Sequence, residues 1–167
     1  MTRRALRIDN ANEKDVSLIL NFILKLAEYE KLADSVTATE ERLRKSLFGP
    51  KPLAQAVIAY DGEKPVAFAI YFLTYSTFSA RPGMYLEDIY VDPLHRGSGV
   101  GRQLFSFLAQ QAIKQGCARL ELSMLNWNDQ ATRFYEKLDA KPIDEWTVFR
   151  LSEANLHELA AEAPSTT

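Results

Sequence analysis

Arg96-Gly97-Ser98-Gly99-Val100-Gly101 is the stretch best suited to hold an anion. It follows an apolar strand-like run, Met84 to Val91, and opens an amphipathic run, Arg102 to Gln115. A strand, a glycine loop and a helix start aim backbone N–H groups at one point, and no Cβ holds a phosphate away from them. Arg96 and Arg102 flank the loop, each with the reach to meet a pyrophosphate. The string GxxxxGK[ST] of a nucleotide-triphosphate loop does not occur. A dinucleotide fingerprint GxGxxG would need glycine at position 102, which is Arg102, and would follow the first strand rather than lie past mid-chain.

Glu87 and Asp88 interrupt the strand just upstream. Strict alternation puts them on opposite faces, so they form no carboxylate pair unless a bulge intervenes. Their neighbours are apolar or aromatic, which argues against exposure of both. Cys117, His95 and His157 share no ligand spacing, so no metal site is expected, and Cys117 reads as a buried thiol.

The elements that must position these groups follow from periodicity. Ala5 to Ile8 fits a short strand. Val16, Ile19, Leu20, Ile23, Leu24 and Ala27 recur at helical spacing. Thr37 and Glu40 have capping-box spacing ahead of Leu43 and Leu47, and Gly49-Pro50 ends that helix. Ala54 to Tyr60 and Val66 to Tyr75 read as strands joined at Asp61-Gly62, followed by a polar loop from Ser76 to Gly83. Met84 to Val91 is the third of these strands, stopped by Asp92-Pro93. Leu104, Phe105, Leu108, Ala109 and Ala112 make the apolar side of the helix after the loop, with Gly116 at its C-terminal turn. Arg119 to Met124 alternates as a further strand. Asn126 to Asp129 starts a helix carrying Ala131, Phe134, Tyr135 and Leu138. Trp146 to Leu151 reads as a last strand and Glu153 to Ala161 as a last helix. This order fits one mixed sheet with helices on both faces.

The 167 residues suffice for one domain with a real core. A net charge of −2 argues against bulk electrostatic attraction to nucleic acid. No apolar run approaches a membrane span, and the N-terminus lacks a secretory h-region. One cysteine allows no internal disulfide, which suits a cytoplasmic location.

Tyr85-Leu86-Glu87-Asp88-Ile89-Tyr90-Val91 followed by His95-Arg96-Gly97-Ser98-Gly99-Val100-Gly101 resembles the acetyl-CoA motif, Q/R-x-x-G-x-G/A, of the GNAT acetyltransferases. Asn128 and Arg133-Phe134-Tyr135-Glu136-Lys137-Leu138 resemble the second cofactor segment of that superfamily. The resemblance covers nearly the whole chain. It is nearest to the diamine (spermidine/spermine) N-acetyltransferase branch, through Leu26-Ala27-Glu28-Tyr29-Glu30, Phe72-Leu73-Thr74-Tyr75 and Trp127-Asn128.

The resemblance implies an α/β fold of the α+β type, with a mixed, mostly antiparallel central sheet and helices on both faces. It implies a single domain over residues 1–167, with a core from about 4 to 152, a helix 153–161 and a frayed tail 162–167. The pantetheine arm of acetyl-CoA would pair with the backbone of Ile89, Tyr90 and Val91. Its pyrophosphate would rest on Arg96, Gly97, Ser98, Gly99, Val100, Gly101 and Arg102, while Asn128, Asp129, Gln130 and Ala131 would flank the cofactor. Tyr135 would protonate the departing thiolate and Glu87 would take the proton from the amine, directly or through water. The N–H of Ile89 or Tyr90 would stabilise the oxyanion. Tyr29, Glu30, Glu87, Glu121, Leu122 and Ser123 would meet the amine substrate.

A homodimer is implied, with no nucleic-acid or membrane partner. Two departures stand out: Asp139 occupies a position where the family usually has glycine, and Ser76 replaces an acid of the polyamine enzymes. The loss of that acid weakens the case for a polycation such as spermine. A small primary amine is the expected acceptor; the alternative is a non-catalytic acyl-CoA-binding sensor or partner module.

Overall fold

The computed structural model describes residues 6–164. The chain divides into two compact units, Met1–Leu125 and Asn126–Thr167. The expectations for residues 4, 5 and 165–167 lie outside the described residues.

The first unit holds one five-stranded sheet in the order β1-β2-β3-β4-β5. The strands are β1 (Arg7–Asn10), β2 (Gln55–Asp61), β3 (Lys64–Ser76), β4 (Arg81–Val91) and β5 (Leu120–Leu122). All neighbours are antiparallel except β4 and β5, which run parallel. The helices are α1 (Val16–Tyr29), α2 (Glu40–Phe48) and α3 (Val100–Lys114). On one face, Val16, Ile19 and Phe22 of α1 and Leu43 and Leu47 of α2 pack on Ile58, Phe68, Ile70 and Tyr90. On the other, Val100, Leu104, Leu108 and Ala112 of α3 form an i, i+4 stripe against Val57, Ala69, Tyr71, Met84 and Leu86. The expected mixed sheet with helices on both faces is therefore present.

Local boundaries differ in instructive ways. The cap of α2 is Thr39, whose Oγ1 accepts from the Arg42 N–H at 3.2 Å. The chain stays extended through Thr39, so Thr37 and Glu40 form no capping box; Glu40 instead accepts from Ser17 Oγ at 2.7 Å and ties α2 to α1. The loop expected from Ser76 to Gly83 shrinks to Thr77–Ala80, because β3 and β4 continue pairing as far as Ser76↔Arg81. Cys117 is half-buried rather than buried.

The second unit contains α4 (Asp129–Glu136) and α5 (Glu153–Ala160). The strand expected at Trp146–Leu151 is absent among the described residues. Its apolar residues favour an extended chain, but a strand also needs a partner edge, and no ladder bond joins this segment to one.

Candidate active site

The site begins with a flaw in the pairing of β3 and β4. Ile70 pairs with Asp88, yet the next residue, Tyr71, pairs with Leu86, so Glu87 is the extra residue of a β-bulge. Met84 and Leu86 face the α3 core before the bulge; Ile89 and Val91 face it afterwards. Glu87 and Asp88 consequently share the α1 side of the sheet, a correction to strict alternation. Glu87 is exposed there.

Asp88 closes a cavity of about 180 Å³ whose walls include Ile23, Leu26, Leu32 and Val36 and which Glu30 also lines. Burial, then the charges of Glu87 and Glu30, push the Asp88 carboxyl up to about 6. Burial also raises Glu30 above the usual carboxylate range. Neither carboxylate has an ion-pair or hydrogen-bond partner among the described residues. An apolar pocket with two uncompensated acids is built for a cation, because desolvated carboxylates are stabilised by a positive ligand. The resemblance points to Glu30 as a substrate contact but not to Asp88. Its signal, the bulge, is a property of register between two strands, not of either strand's composition.

Past the bulge the β5 side of the sheet is open. β5 pairs with β4 only along Met84–Leu86, so β4 beyond that point has no neighbour on its β5 side among the described residues. The Asp92 N–H donates to the Val66 carbonyl at 2.8 Å. Antiparallel alternation then turns the backbone groups of Tyr90 toward β3 and those of Ile89 and Val91 toward the open edge. Arg96 confirms the direction at Val91, since its Nε donates to that carbonyl at 2.9 Å. Of the two candidate oxyanion donors, Ile89 is the one whose N–H lies on this edge. The same Arg96 guanidinium sits 4.6 Å from the ring of Tyr29 and 5.6 Å from that of Tyr90. It ties the end of α1 to the start of the glycine loop.

The glycine loop ends at Gly99, the N-cap of α3, which has φ 92° and supplies no side-chain cap. Gly97 has φ 76°, and a Cβ at either glycine would meet nothing within 4 Å. The glycines are thus needed for backbone conformation, and the space beside them is open to a ligand. Ser98 is held by donating to the His95 carbonyl at 2.6 Å. Val100, Gly101 and Arg102 form the first turn of α3, where a helix presents N–H groups and the positive end of its dipole. This fits a pyrophosphate, and the open β4 edge fits an extended amide-bearing arm.

Glu121 and Ser123 face the α1 side with Tyr85, its register partner being Glu121. The Tyr85 and Ser123 hydroxyls are 2.6 Å apart. Leu122 packs against the α3-side core, so its side chain does not join them.

The second unit carries the remaining candidates. Asn128 caps α4, its Oδ1 accepting from the Ala131 N–H at 3.1 Å. Asp129, Gln130 and Ala131 form the first turn. Tyr135 lies on the last turn of α4, its ring edge-on to Phe134 at 5.4 Å between centroids.

The model of the acetyltransferase (GNAT) family matches residues 22–140. The chain belongs to the GNAT acetyltransferase family. It is 38% identical over 166 residues to the thialysine N-epsilon-acetyltransferase of Bos taurus, covering 93% of this chain and 97% of the bovine protein. It is 27% identical over 191 residues to the L-ornithine N5-acetyltransferase of Arabidopsis thaliana, covering 87% of this chain and 84% of the plant protein. Among solved structures, an integron cassette protein from the V. cholerae mobile metagenome superposes with a TM-score of 0.77 at 27% identity, covering 93% of this chain and 97% of that one. This GNAT protein is an acyl-CoA-dependent N-acetyltransferase, and the family match spans both units. No helix among its described residues is long and apolar enough to cross a membrane.

Proposed function

We propose that this enzyme moves an acetyl group from acetyl-CoA directly to the primary amine of a small molecule, a diamine, a polyamine or a lysine-like compound. The observation that carries the reading is the apolar cavity with Asp88 and Glu30 at the bulge of Glu87. The names of the bovine and plant relatives, a thialysine and an ornithine acetyltransferase, favour the lysine-like class. Ser76, in place of an acid, fits that narrower choice.

In this reading Ile89 and Val91 hold the pantetheine arm as a strand holds a neighbour, and the amides of residues 97–102 hold the pyrophosphate. Asn128 to Ala131 complete the cofactor site. Asp88 and Glu30 attract the ammonium form of the acceptor. Glu87 removes its proton, directly or through water, because only the free amine has a lone pair for the thioester carbon. The Ile89 N–H stabilises the oxyanion that forms. Tyr135 donates a proton to the leaving thiolate, the task of a general acid positioned at the leaving group. The two units act as one acetyltransferase domain, which works in the cytoplasm as a homodimer.

The test is a thiol-release assay with acetyl-CoA over diamines, polyamines, lysine analogues, amino acids and aminoglycosides. Release with primary amines carrying a second charged group is expected. Acetyl-CoA binding without release in the presence of any amine would identify a sensor instead. Sedimentation over a range of concentrations checks the dimer.

A further inference from the structure

Four acids, Glu30, Glu87, Asp88 and Glu121, lie on the α1 side of the sheet, and one cation stands among them on β5's approach. Arg119 precedes β5 and, two residues before Glu121, shares its face. Its Nε donates to Glu121 Oε2 at 2.8 Å. Its Nη groups and Glu121 Oε1 have no protein partner among the described residues. The pair is only partly screened, at 46% and 29% side-chain exposure. Its position is built. The Arg119 stem lies across Gly83, where an added Cβ would come within 3.3 Å of Arg119 Cγ and 2.7 Å of Thr74 Oγ1. A Cβ at 83 would collide with Thr74 Oγ1 and press the arginine stem aside by a few tenths of an ångström. Thr74 Oγ1 is itself buried without a hydrogen-bond partner, and the Tyr85 and Ser123 hydroxyls flank Glu121 on the same face.

A guanidinium that spends one N–H on a carboxylate still presents its fork to another carboxylate, and the free oxygen of Glu121 accepts from an ammonium. Together they match the two charges on the α-carbon of an amino acid. Glu121 lies beside Tyr85, two residues before Glu87 on the neighbouring strand. The diagonal between Glu121 and Glu87 is roughly 8 Å from strand spacing and rise. A three- or four-methylene arm spans that reach from an α-carbon to a terminal amine.

We propose that the Arg119–Glu121 pair is the recognition site for the zwitterionic head of an ω-amino amino acid, with Arg119 reading the α-carboxylate and Glu121 the α-ammonium, so that the terminal amine is delivered to Glu87 and Asp88. This rests on the acetyltransferase reading above and names its substrate class.

L-Ornithine and 1,4-diaminobutane differ by one carboxylate, so they isolate the role of Arg119. Wild-type enzyme is expected to favour L-ornithine in kcat/KM, and Arg119→Gln, which keeps a stem over Gly83, to reduce that preference roughly ten- to hundredfold. 5-Aminopentanoate lacks the α-ammonium, and Glu121→Gln is expected to reduce the preference for L-ornithine over it. Acetyl-CoA affinity, measured on each variant, shows that it is folded; Glu121→Gln decides should Arg119→Gln fail to fold. Preferences within threefold of wild type in folded variants would overturn the assignment. So would a wild-type enzyme that turns over 1,4-diaminobutane as well as L-ornithine, and that outcome leaves the acetyltransferase reading standing. Wild-type protein that binds acetyl-CoA yet releases thiol with none of these amines overturns the underlying reading as well.

Discussion

Tyr135 and Glu87 separate two kinds of contribution at the scale of single residues. If Tyr135 donates the proton that lets the thiolate leave, its hydroxyl matters to the transition state and little to the bound ground state. Tyr135→Phe is therefore expected to lower kcat by about 10²- to 10⁴-fold, the usual range for a positioned acid, while acetyl-CoA affinity changes little. Single-turnover kinetics with a binding isotherm measure both, and wild-type turnover in the variant would remove Tyr135 from the mechanism. The acid–base roles proposed for Tyr135 and Glu87 come from the resemblance, and the glycine loop from its chemistry. The partnership of Glu87 with Asp88 was not legible in the sequence. It depends on β4 carrying one residue more than β3 opposite Ile70 and Tyr71, and that count belongs to the pair of strands. Arg119 was hidden for a related reason: its importance comes from Gly83 on the adjacent strand, 36 positions away in the chain (119 − 83).

The secondary-structure elements are controlled largely at their ends. α1 and α3 both end in Schellman turns. In α1 the Leu32 N–H returns to the Ala27 carbonyl at 2.8 Å, and in α3 the Cys117 N–H returns to Ala112 at 2.9 Å. Gly116 supplies the left-handed residue in α3, as its sequence position predicted. After α4 the same role falls to Asp139, with φ 59°, while the Ala140 N–H bonds the Tyr135 carbonyl at 3.1 Å. An L-residue in that conformation is strained, so Asp139→Gly is expected to stabilise the protein by about 0.5–1 kcal/mol in a urea melt. The turn that it relieves is bonded to the carbonyl of Tyr135, yet the change should leave the amine preference where it was.

At the start of α3 the logic reverses. Gly99→Ala meets no steric obstacle but must hold φ 92°, so it is expected to cost about 1–2 kcal/mol of stability and to weaken acetyl-CoA binding. Calorimetric titration beside a melt separates the two effects. The missing strand at Trp146–Leu151 marks the limit of reading elements one at a time, because a pattern specifies a willing strand and not the edge it pairs with.

At the scale of the whole molecule, folding and function pull Asp88 in opposite directions. Its carboxyl is raised to about 6, first by burial and then by Glu87 and Glu30, whereas in the unfolded chain it titrates near 3.9. A raised carboxylate pKa means that the folded state holds the proton more tightly than the unfolded state does. The associated stability is complete below about pH 4 and is lost as pH rises to about 6 and above. At neutral pH the folded enzyme thus carries a desolvated charge that costs of order 2–3 kcal/mol. Asp88→Asn removes that charge. In urea melts from pH 4 to 8 the variant is expected to match wild type at the acid end, to gain on it between about pH 4 and 6, and to keep the advantage at higher pH. A constant difference across that range would show that Asp88 does not titrate in this window. The gain has a functional counterpart. An ammonium ligand compensates the charge in the wild type alone, so 1,4-diaminobutane should raise the melting temperature of wild type at pH 7.5 and shift that of Asp88→Asn much less. The same substitution should raise KM for the amine, as expected for a carboxylate retained at the expense of stability because the acceptor arrives as a cation.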